Sequence, residues 1–133
     1  MFAVSSRVRY GLRLLSQLSR HRASTPLPLA ALASELDLPY PYLAQIARRL
    51  RAAGLLESFE GAGGGYRLAK HPAQISLADV IAALDGHRRT GGCQPRSARQ
   101  CPCGGSCGLG RWWQQLDAEL ERTTHALTLA QLP

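Results

Sequence analysis

The apolar residues of the N-terminal half recur with helical spacing. From residue 2 to residue 18 one stripe is formed by Phe2, Val4, Val8, Leu12, Leu15 and Leu18. This stripe predicts a first helix over residues 5–21, and the same spacing over residues 29–36 predicts a second, shorter helix. A third helix is predicted over residues 41–53, because proline is accepted in the first turn of a helix and Gly54 can cap its end.

After the third helix the pattern changes to that of a β-hairpin. Residues 55–59 and 66–69 are short strand candidates on either side of a loop that holds four of the chain's glycines. Glycine permits the positive φ angles that tight hairpin loops need. Two short helices joined by a brief proline-containing turn fit a helix-turn-helix, and a hairpin directly after them fits the wing of a winged helix.

The C-terminal third predicts two more helices around a region without periodicity. Ser76-Leu-Ala-Asp79 has the form of a capping box and predicts a helix over residues 77–84. A last helix, over residues 109–127, carries Leu109, Trp112 or Trp113, Leu116, Leu120 and Leu127 on one side. That is more apolar surface than a lone exposed helix should carry. We therefore expect this helix to pair with its copy in a homodimer.

These elements define the predicted fold class, which is mainly α with a small β-hairpin wing. We predict a winged helix-turn-helix DNA-binding domain over residues 1–84, a cysteine-rich sensor loop over residues 85–108, and a dimerisation helix and tail over residues 109–133.

The charge of the chain supports a polyanionic partner. Lys and Arg total 16 against nine acidic residues, giving a formal net charge of +7. Residues 1–55 carry only two acidic residues against eight arginines, at positions 7, 9, 13, 20, 22, 48, 49 and 51. Such a one-sided basic half is the electrostatic footprint of a polyanion partner, with a merely basic, solvated surface as the alternative. Together with the helix-turn-helix it predicts binding to a double-stranded DNA operator.

Other functional classes find little support in the sequence. No run of eighteen apolar residues is present, so no membrane span is predicted. The N-terminus reads as the first helix rather than a targeting segment, and a cytoplasmic location is expected. No Ser/His/Asp or Cys/His grouping or phosphate-binding loop stands out, so an enzyme is not predicted.

The candidate DNA-binding residues lie on the third helix and in the wing. They are Tyr42, Gln45, Arg48, Arg49, Arg51, Gly63, Gly64 and Arg67. Glutamine can bind adenine through two hydrogen bonds, and arginine can do the same with guanine. The arginines have an alternative role as phosphate contacts, because most protein–DNA contacts go to the backbone. Tyr42 has an alternative role in packing.

All four cysteines of the chain lie in the predicted loop, at Cys93, Cys101, Cys103 and Cys107. Thiolates gathered this closely can surround a soft metal or an iron–sulfur cluster. A structural zinc site is an alternative, although the spacing is not the usual paired knuckle. Free or redox-paired thiols are a further alternative.

Several of these motifs together resemble one family. They are Ser6-Arg-Val-Arg-Tyr10, Tyr42-Leu43 with Gln45, Arg49-Leu50-Arg51, Gly54-Leu55, Gly61-x-Gly-Gly-Gly-Tyr66, the cysteine loop and Leu127-Thr128-Leu129. Over essentially the whole chain the sequence resembles the IscR/NsrR/RirA group of bacterial winged-helix regulators, the Rrf-two superfamily. The resemblance implies a dimeric repressor or activator that binds a 2Fe–2S or 4Fe–4S cluster and responds to iron, cluster supply, nitric oxide or oxidants. It implies Cys93, Cys101 and Cys107 as cluster ligands.

The sequence departs from the family pattern at the positions where relatives carry the fourth ligand of the cluster. Relatives place a His or an acidic residue at the positions that hold Gly110 and Arg9 here. Cys103, Asp85, His87 or an external group remain as candidates. Two functional alternatives also remain open: a cluster-free regulator that responds to thiol oxidation, and an iron–sulfur carrier without a DNA target.

Overall fold

The computed structural model describes residues 4–21, 25–86 and 108–132. Within them the chain forms five α-helices, one β-hairpin and two short 3₁₀ turns, at Pro72–Gln74 and Leu129–Gln131. The helices are α1 (Ser6–Arg20), α2 (Leu29–Leu36), α3 (Tyr40–Ala52), α4 (Leu77–Asp85) and α5 (Gly108–Ala126), and the hairpin consists of β1 (Leu56–Phe59) and β2 (Gly65–Leu68). Every predicted helix and strand is confirmed, with ends within about one residue of the prediction.

Helix α1 begins at a capping serine. The Ser5 hydroxyl accepts a hydrogen bond from the backbone N–H of Val8 (3.2 Å), which satisfies one of the donors left open at a helix start. The buried face differs in part from the predicted stripe. Leu14 is fully buried although the stripe omits it, whereas Val4 is 36% exposed. The buried positions of α1 are Val8, Gly11, Leu14, Leu15 and Leu18, so the buried face is turned in part relative to the predicted stripe.

Helices α2 and α3 form the helix-turn-helix. Asp37 ends α2 in the left-handed conformation (φ 53°), a backbone state that aspartate adopts more readily than most residues. Pro39 then caps α3, and Pro41 lies in its first turn as predicted. Gly54 follows the end of α3 at φ +79°, and its N–H donates to the Arg51 carbonyl (2.9 Å), so the predicted glycine cap is confirmed.

The wing is a two-stranded antiparallel hairpin. Its register pairs Leu56 with Leu68 and Phe59 with Gly65. Leu27 extends the hairpin at one edge, because it exchanges two backbone hydrogen bonds with Tyr66 (2.9 and 2.8 Å). This isolated bridge ties the wing to the segment that precedes α2.

Helix α4 begins with the predicted capping box. The Ser76 hydroxyl accepts from the Asp79 N–H (3.1 Å), while the Asp79 carboxylate accepts from the Ser76 N–H (3.0 Å). After α5 the chain returns to this point. The N–H of Leu77 donates to the Leu127 carbonyl (2.8 Å), and the N–H of Leu129 donates to the Ile75 carbonyl (3.0 Å).

One hydrophobic core contains residues from each of the helices α1, α2, α3 and α4, from the start of β1 and from the C-terminal tail. Leu129 of the tail is 4% exposed and belongs to the same cluster as Val8 and Ile75. The division of the chain at residues 84 and 108 stays a prediction, and this contact places part of the tail in the core of the N-terminal unit. None of the helices described here is long and apolar enough to cross a membrane.

Candidate nucleic-acid interface

The outer face of α3 is polar and basic. Its inner face buries Leu43, Ile46, Ala47 and Leu50. The opposite face exposes the side chains of Tyr40, Gln45, Arg48, Arg49 and Arg51. The amphipathic pattern of the sequence therefore fixes which side of this helix is available to a partner.

The arginines of this face have different surroundings. Among the described residues, nothing forms a hydrogen bond or ion pair with the side chains of Arg48, Arg51 or Gln45, so their donors are available. Arg49 is also exposed, but its side chain reaches α4, where its Nη1 donates to the carbonyl oxygen of Leu84 (3.1 Å). Sequence reasoning grouped the arginines together, but the structure gives Arg49 an internal partner.

Tyr42 is half-buried between α3 and α1. Its ring meets the Tyr10 ring edge-on, with centroids 5.9 Å apart and planes at 85°. The Arg13 guanidinium lies 5.8 Å from the centroid of the Tyr10 ring. These contacts give Tyr42 a packing role at the start of α3, the candidate recognition helix, next to the exposed residues.

The wing presents its backbone at the tip. Gly63 has φ +77° and is exposed, so its amide can approach another molecule closely. A Cβ at Gly64 would collide with the carbonyl oxygen of Phe59, which explains why this position needs glycine.

Arg67 is held within the wing. Its Nε lies 2.9 Å from Oε2 of Glu57, the residue opposite it in the register, and its guanidinium stacks 4.6 Å from the centroid of the Phe59 ring. Both ionic side chains remain about 40% exposed (39% and 44%), so the pair adds little stability. It fixes where the positive charge of Arg67 lies.

The four cysteines and His87 lie outside the described residues. Of the other fourth-ligand positions, Asp85 is engaged at the end of α4: its side chain is 3% exposed, accepts a hydrogen bond from the Ser5 hydroxyl (2.7 Å) and lies 3.6 Å from Nη2 of Arg7. Arg9 donates to the Ser6 hydroxyl (3.2 Å). Within residues 4–21, 25–86 and 108–132 no three His, Cys, Asp or Glu side chains are grouped to hold a metal.

Helix α5 leaves its apolar face open. Leu109, Trp112, Trp113 and Leu116 are 55%, 72%, 41% and 42% exposed. The partly buried positions, Gly110, Asp117, Leu120 and Thr124, lie on a neighbouring side of the helix, and α5 packs against α4. The helix therefore uses one side within its own chain and exposes most of the apolar residues on the other.

Comparison with known proteins identifies the family. The profile of the Rrf2 (Rrf-two) family, described as "Iron-dependent Transcriptional regulator", matches residues 4–133. The chain belongs to the Rrf2 family. It is 32% identical over 129 residues to the HTH-type transcriptional regulator IscR of Vibrio vulnificus, covering 97% of this chain and 76% of that protein. It is 31% identical to IscR of Vibrio atlanticus, covering 97% of this chain and 73% of the relative.

Solved Rrf2 structures share the fold. CymR, the global cysteine regulator of B. subtilis, superposes with a TM-score of 0.81 at 28% identity, covering 99% of this chain and 96% of the other. T. potens IscR superposes with a TM-score of 0.75 at 29% identity, covering 98% and 85%. The resemblance seen in the motifs and the predicted winged-helix fold are thus confirmed. As an Rrf2 member the chain is a transcriptional regulator, and its relatives are regulators rather than enzymes.

Two features of the site were missed by sequence reasoning. The first is the pair of contacts made by Arg49 and Asp85 at the end of α4. The second is the return of Leu129 to the core, although Leu127-Thr128-Leu129 was among the motifs that carried the family resemblance. A serine directly before an apolar helix signals a cap, but nothing local to Ser5 indicates a partner 80 residues away.

Proposed function

We propose that the protein is a homodimeric DNA-binding transcriptional regulator that senses iron, iron–sulfur cluster status, nitric oxide or redox state through a cysteine-ligated iron–sulfur cluster. The observation that carries the DNA part is the exposed basic face of α3 beside a glycine-rich wing. Gln45 faces outward and is available to base edges, while Arg48, Arg51 and the amide of Gly63 are suited to phosphates. The Gly64 N–H already donates to the Gly61 carbonyl (3.0 Å).

The homodimer is supported by α5. Four large apolar side chains on one helix face are between 41% and 72% exposed in the single chain. A contiguous apolar face of this kind marks an interaction surface, and a second copy presents the same face to it. In such a dimer two recognition helices reach two half-sites about one helical turn apart.

The cluster is supported by its donor set and by the family. Cys93, Cys101 and Cys107 would supply three thiolates, and Cys103 or an external group would complete the site. The burial of Asp85 and its bonds to Ser5 and Arg7 make it a poorer ligand than the sequence alone implied. When bound, a cluster would supply a group whose loss or oxidation can change the DNA affinity of the protein.

A thiol-based regulator is the second candidate. One solved relative with a TM-score of 0.71 and 28% identity is the oxidized form of Staphylococcus aureus CymR. In this alternative a cysteine such as Cys103 is oxidised directly and no metal is needed. The third candidate, an iron–sulfur carrier without a DNA target, is disfavoured because the relatives described above are named as transcriptional regulators.

The test is anaerobic purification followed by iron and sulfide counts, visible spectroscopy, and selection of tightly bound duplexes from genomic fragments. We expect a coloured protein that binds specific duplexes and whose affinity changes when the cluster is removed. A colourless, iron-free protein whose DNA affinity follows thiol oxidation would establish the second candidate instead.

The same measurement on Cys103→Ala addresses the fourth ligand. Loss of iron and sulfide assigns Cys103 to the site, and Cys93→Ala is the matched variant that should lose the cluster in either case. Retention in Cys103→Ala with loss in Cys93→Ala leaves an external group or a residue such as His87.

A further inference from the structure

Three helices meet at the C-terminal end of α4. The Leu84 side chain is 1% exposed and lies against Gly11 of α1. A Cβ added at Gly11 would collide with Cδ1 of Leu84 and lie 3.6 Å from Cγ2 of Ile46 on α3. The Leu84 side chain therefore packs directly on the backbone of α1 at Gly11, and a larger side chain there would require Leu84 to move.

Polar contacts hold the same two residues of α4. Arg49 on α3 donates to the Leu84 carbonyl (3.1 Å), which lies in the last turn and has no partner within its helix. The Asp85 carboxylate accepts from Ser5 (2.7 Å) at the start of α1, where the helix dipole favours a negative charge. We call this junction, formed by Leu84 and Asp85 with Ser5, Gly11 and Arg49, the α4 corner.

The α4 corner lies at the boundary with the cysteine-bearing segment. Gly86 caps α4 with φ +74°, and residue 87 follows it. A displacement of the chain after Gly86 therefore acts first on Asp85 and Leu84, and through Arg49 on α3. Tightly packed junctions respond to such displacements by moving between arrangements rather than deforming smoothly.

We propose that the α4 corner sets the position of the recognition helix and is where changes in the following segment reach it, with Arg49 and Asp85 as positioning residues rather than DNA or metal contacts. The inference rests on the proposed DNA-binding sensor and names the route by which its state reaches α3. It assigns Arg49 a role separate from that of its neighbour Arg48.

Removing the charge of Asp85 tests its role, because the two explanations predict opposite changes in DNA affinity. Removing a negative charge strengthens DNA binding if electrostatics alone acts. A positioning role predicts the reverse: Asp85→Asn should bind the selected duplex about tenfold more weakly, a typical coupling between two sites. Glu121→Gln removes the same charge from an exposed position on α5 and should stay within about twofold of the parent, as surface changes generally do.

The salt dependence of binding tests the role of Arg49. Losing a phosphate contact reduces the slope of log affinity against log salt by about 0.9. We expect Arg48→Met, the matched control on the same helix, to reduce the slope in this way. Arg49→Met should weaken binding with the slope unchanged, and Arg49→Lys, which keeps the charge and a donor, should restore part of the affinity.

Hydrogen exchange on the DNA-free protein gives an independent readout. Asp85→Asn and Arg49→Met should both speed amide exchange within residues 40–52, whereas Glu121→Gln should not. Thermal unfolding checks that each variant is folded at the temperature of measurement. Asp85→Glu and Arg49→Lys serve as milder versions where the stronger change unfolds the chain.

The outcomes separate the inference from the proposed function. A parent protein with the same DNA affinity with and without the cluster contradicts the sensor proposal. The α4 corner is contradicted if the DNA affinity of the parent differs between the cluster-bound and cluster-free forms and Arg49→Met shows the same ratio between these two affinities. The corner is also contradicted if Asp85→Asn binds DNA as tightly as the parent or more tightly, or if Arg49→Met lowers the salt slope as Arg48→Met does.

Discussion

One glycine of the wing lies where the hairpin pairs with the segment that precedes α2. Gly65 pairs with Phe59 and precedes Tyr66, which exchanges hydrogen bonds with Leu27. Its φ of +148° and the nearby Leu27 carbonyl leave no room for a side chain. Gly61, in the loop, also has a positive φ (+88°), but nothing lies within 4 Å of its missing Cβ.

This contrast predicts different costs for the same substitution. Gly61→Ala should lower the free energy of unfolding by about 1 kcal/mol through backbone strain alone. Gly65→Ala should cost about 3 kcal/mol, because strain is combined with a collision against backbone. Urea unfolding of both variants measures the difference, and equal losses would show that the Leu27–Tyr66 bridge does not constrain Gly65.

At the scale of elements, the fold is closed by the tail that follows α5. Two backbone hydrogen bonds join the tail to residues on either side of Ser76, and Leu129 fills the core there. The end of α5 is thus fixed beside the start of α4. The tail is a structural element of the N-terminal unit as well as the continuation of the predicted dimerisation helix.

Truncating Leu129 should therefore destabilise the protein. Leu129→Ala removes a side chain that is 4% exposed and should cost about 2–5 kcal/mol. Leu132→Ala, three residues on and 44% exposed, is the matched control and should stay within about 0.5 kcal/mol of the parent. If thermal or urea unfolding shows similar losses for the two variants, the tail is not anchored through Leu129.

The elements could be predicted from the sequence because each carries its own local signal. Apolar spacing marks the buried face of a helix, and Ser76 and Gly54 mark where helices begin and end. Contacts between distant elements have no such signal. The Ser5–Asp85 bond spans 80 residues, and the partner of Arg49 lies 35 residues away, so neither could be predicted from periodicity.

The same limit applies to the candidate site. Helical periodicity predicts that Gln45 and Arg48 face outward, because Leu43, Ile46 and Leu50 must face inward. It does not distinguish Arg48 from Arg49, because both lie on the polar side and only the packing of α4 separates them. The roles of the cysteines stay predictions that rest on donor chemistry and on the family.

At the scale of the whole molecule, the single chain leaves large apolar side chains of α5 exposed. Trp112 is 72% exposed and lies one helical turn from Leu109 and Leu116. Burying large aromatic side chains between two copies contributes substantially to association.

A charge placed on that face should separate the copies. Trp112→Glu should shift the protein from dimer to monomer in sedimentation or light scattering, because an unpaired carboxylate is costly to bury in an apolar interface. The affinity for a two-fold operator should fall with it. Ala118→Glu adds the same charge on the opposite, exposed side of α5 and should remain dimeric. A dimeric Trp112→Glu protein would place the interface elsewhere.

The anchored tail also changes how the cysteine segment should be regarded. Residues 87–107 join two helices that pack against each other, and the far end of the second helix is fastened beside the start of the first. The segment therefore has both of its ends, Gly86 and Gly108, attached to helices of the folded core. The entropy of bringing its ends together is already spent when the core folds. An ion or cluster shared by the four thiols would therefore not have to meet that entropic cost.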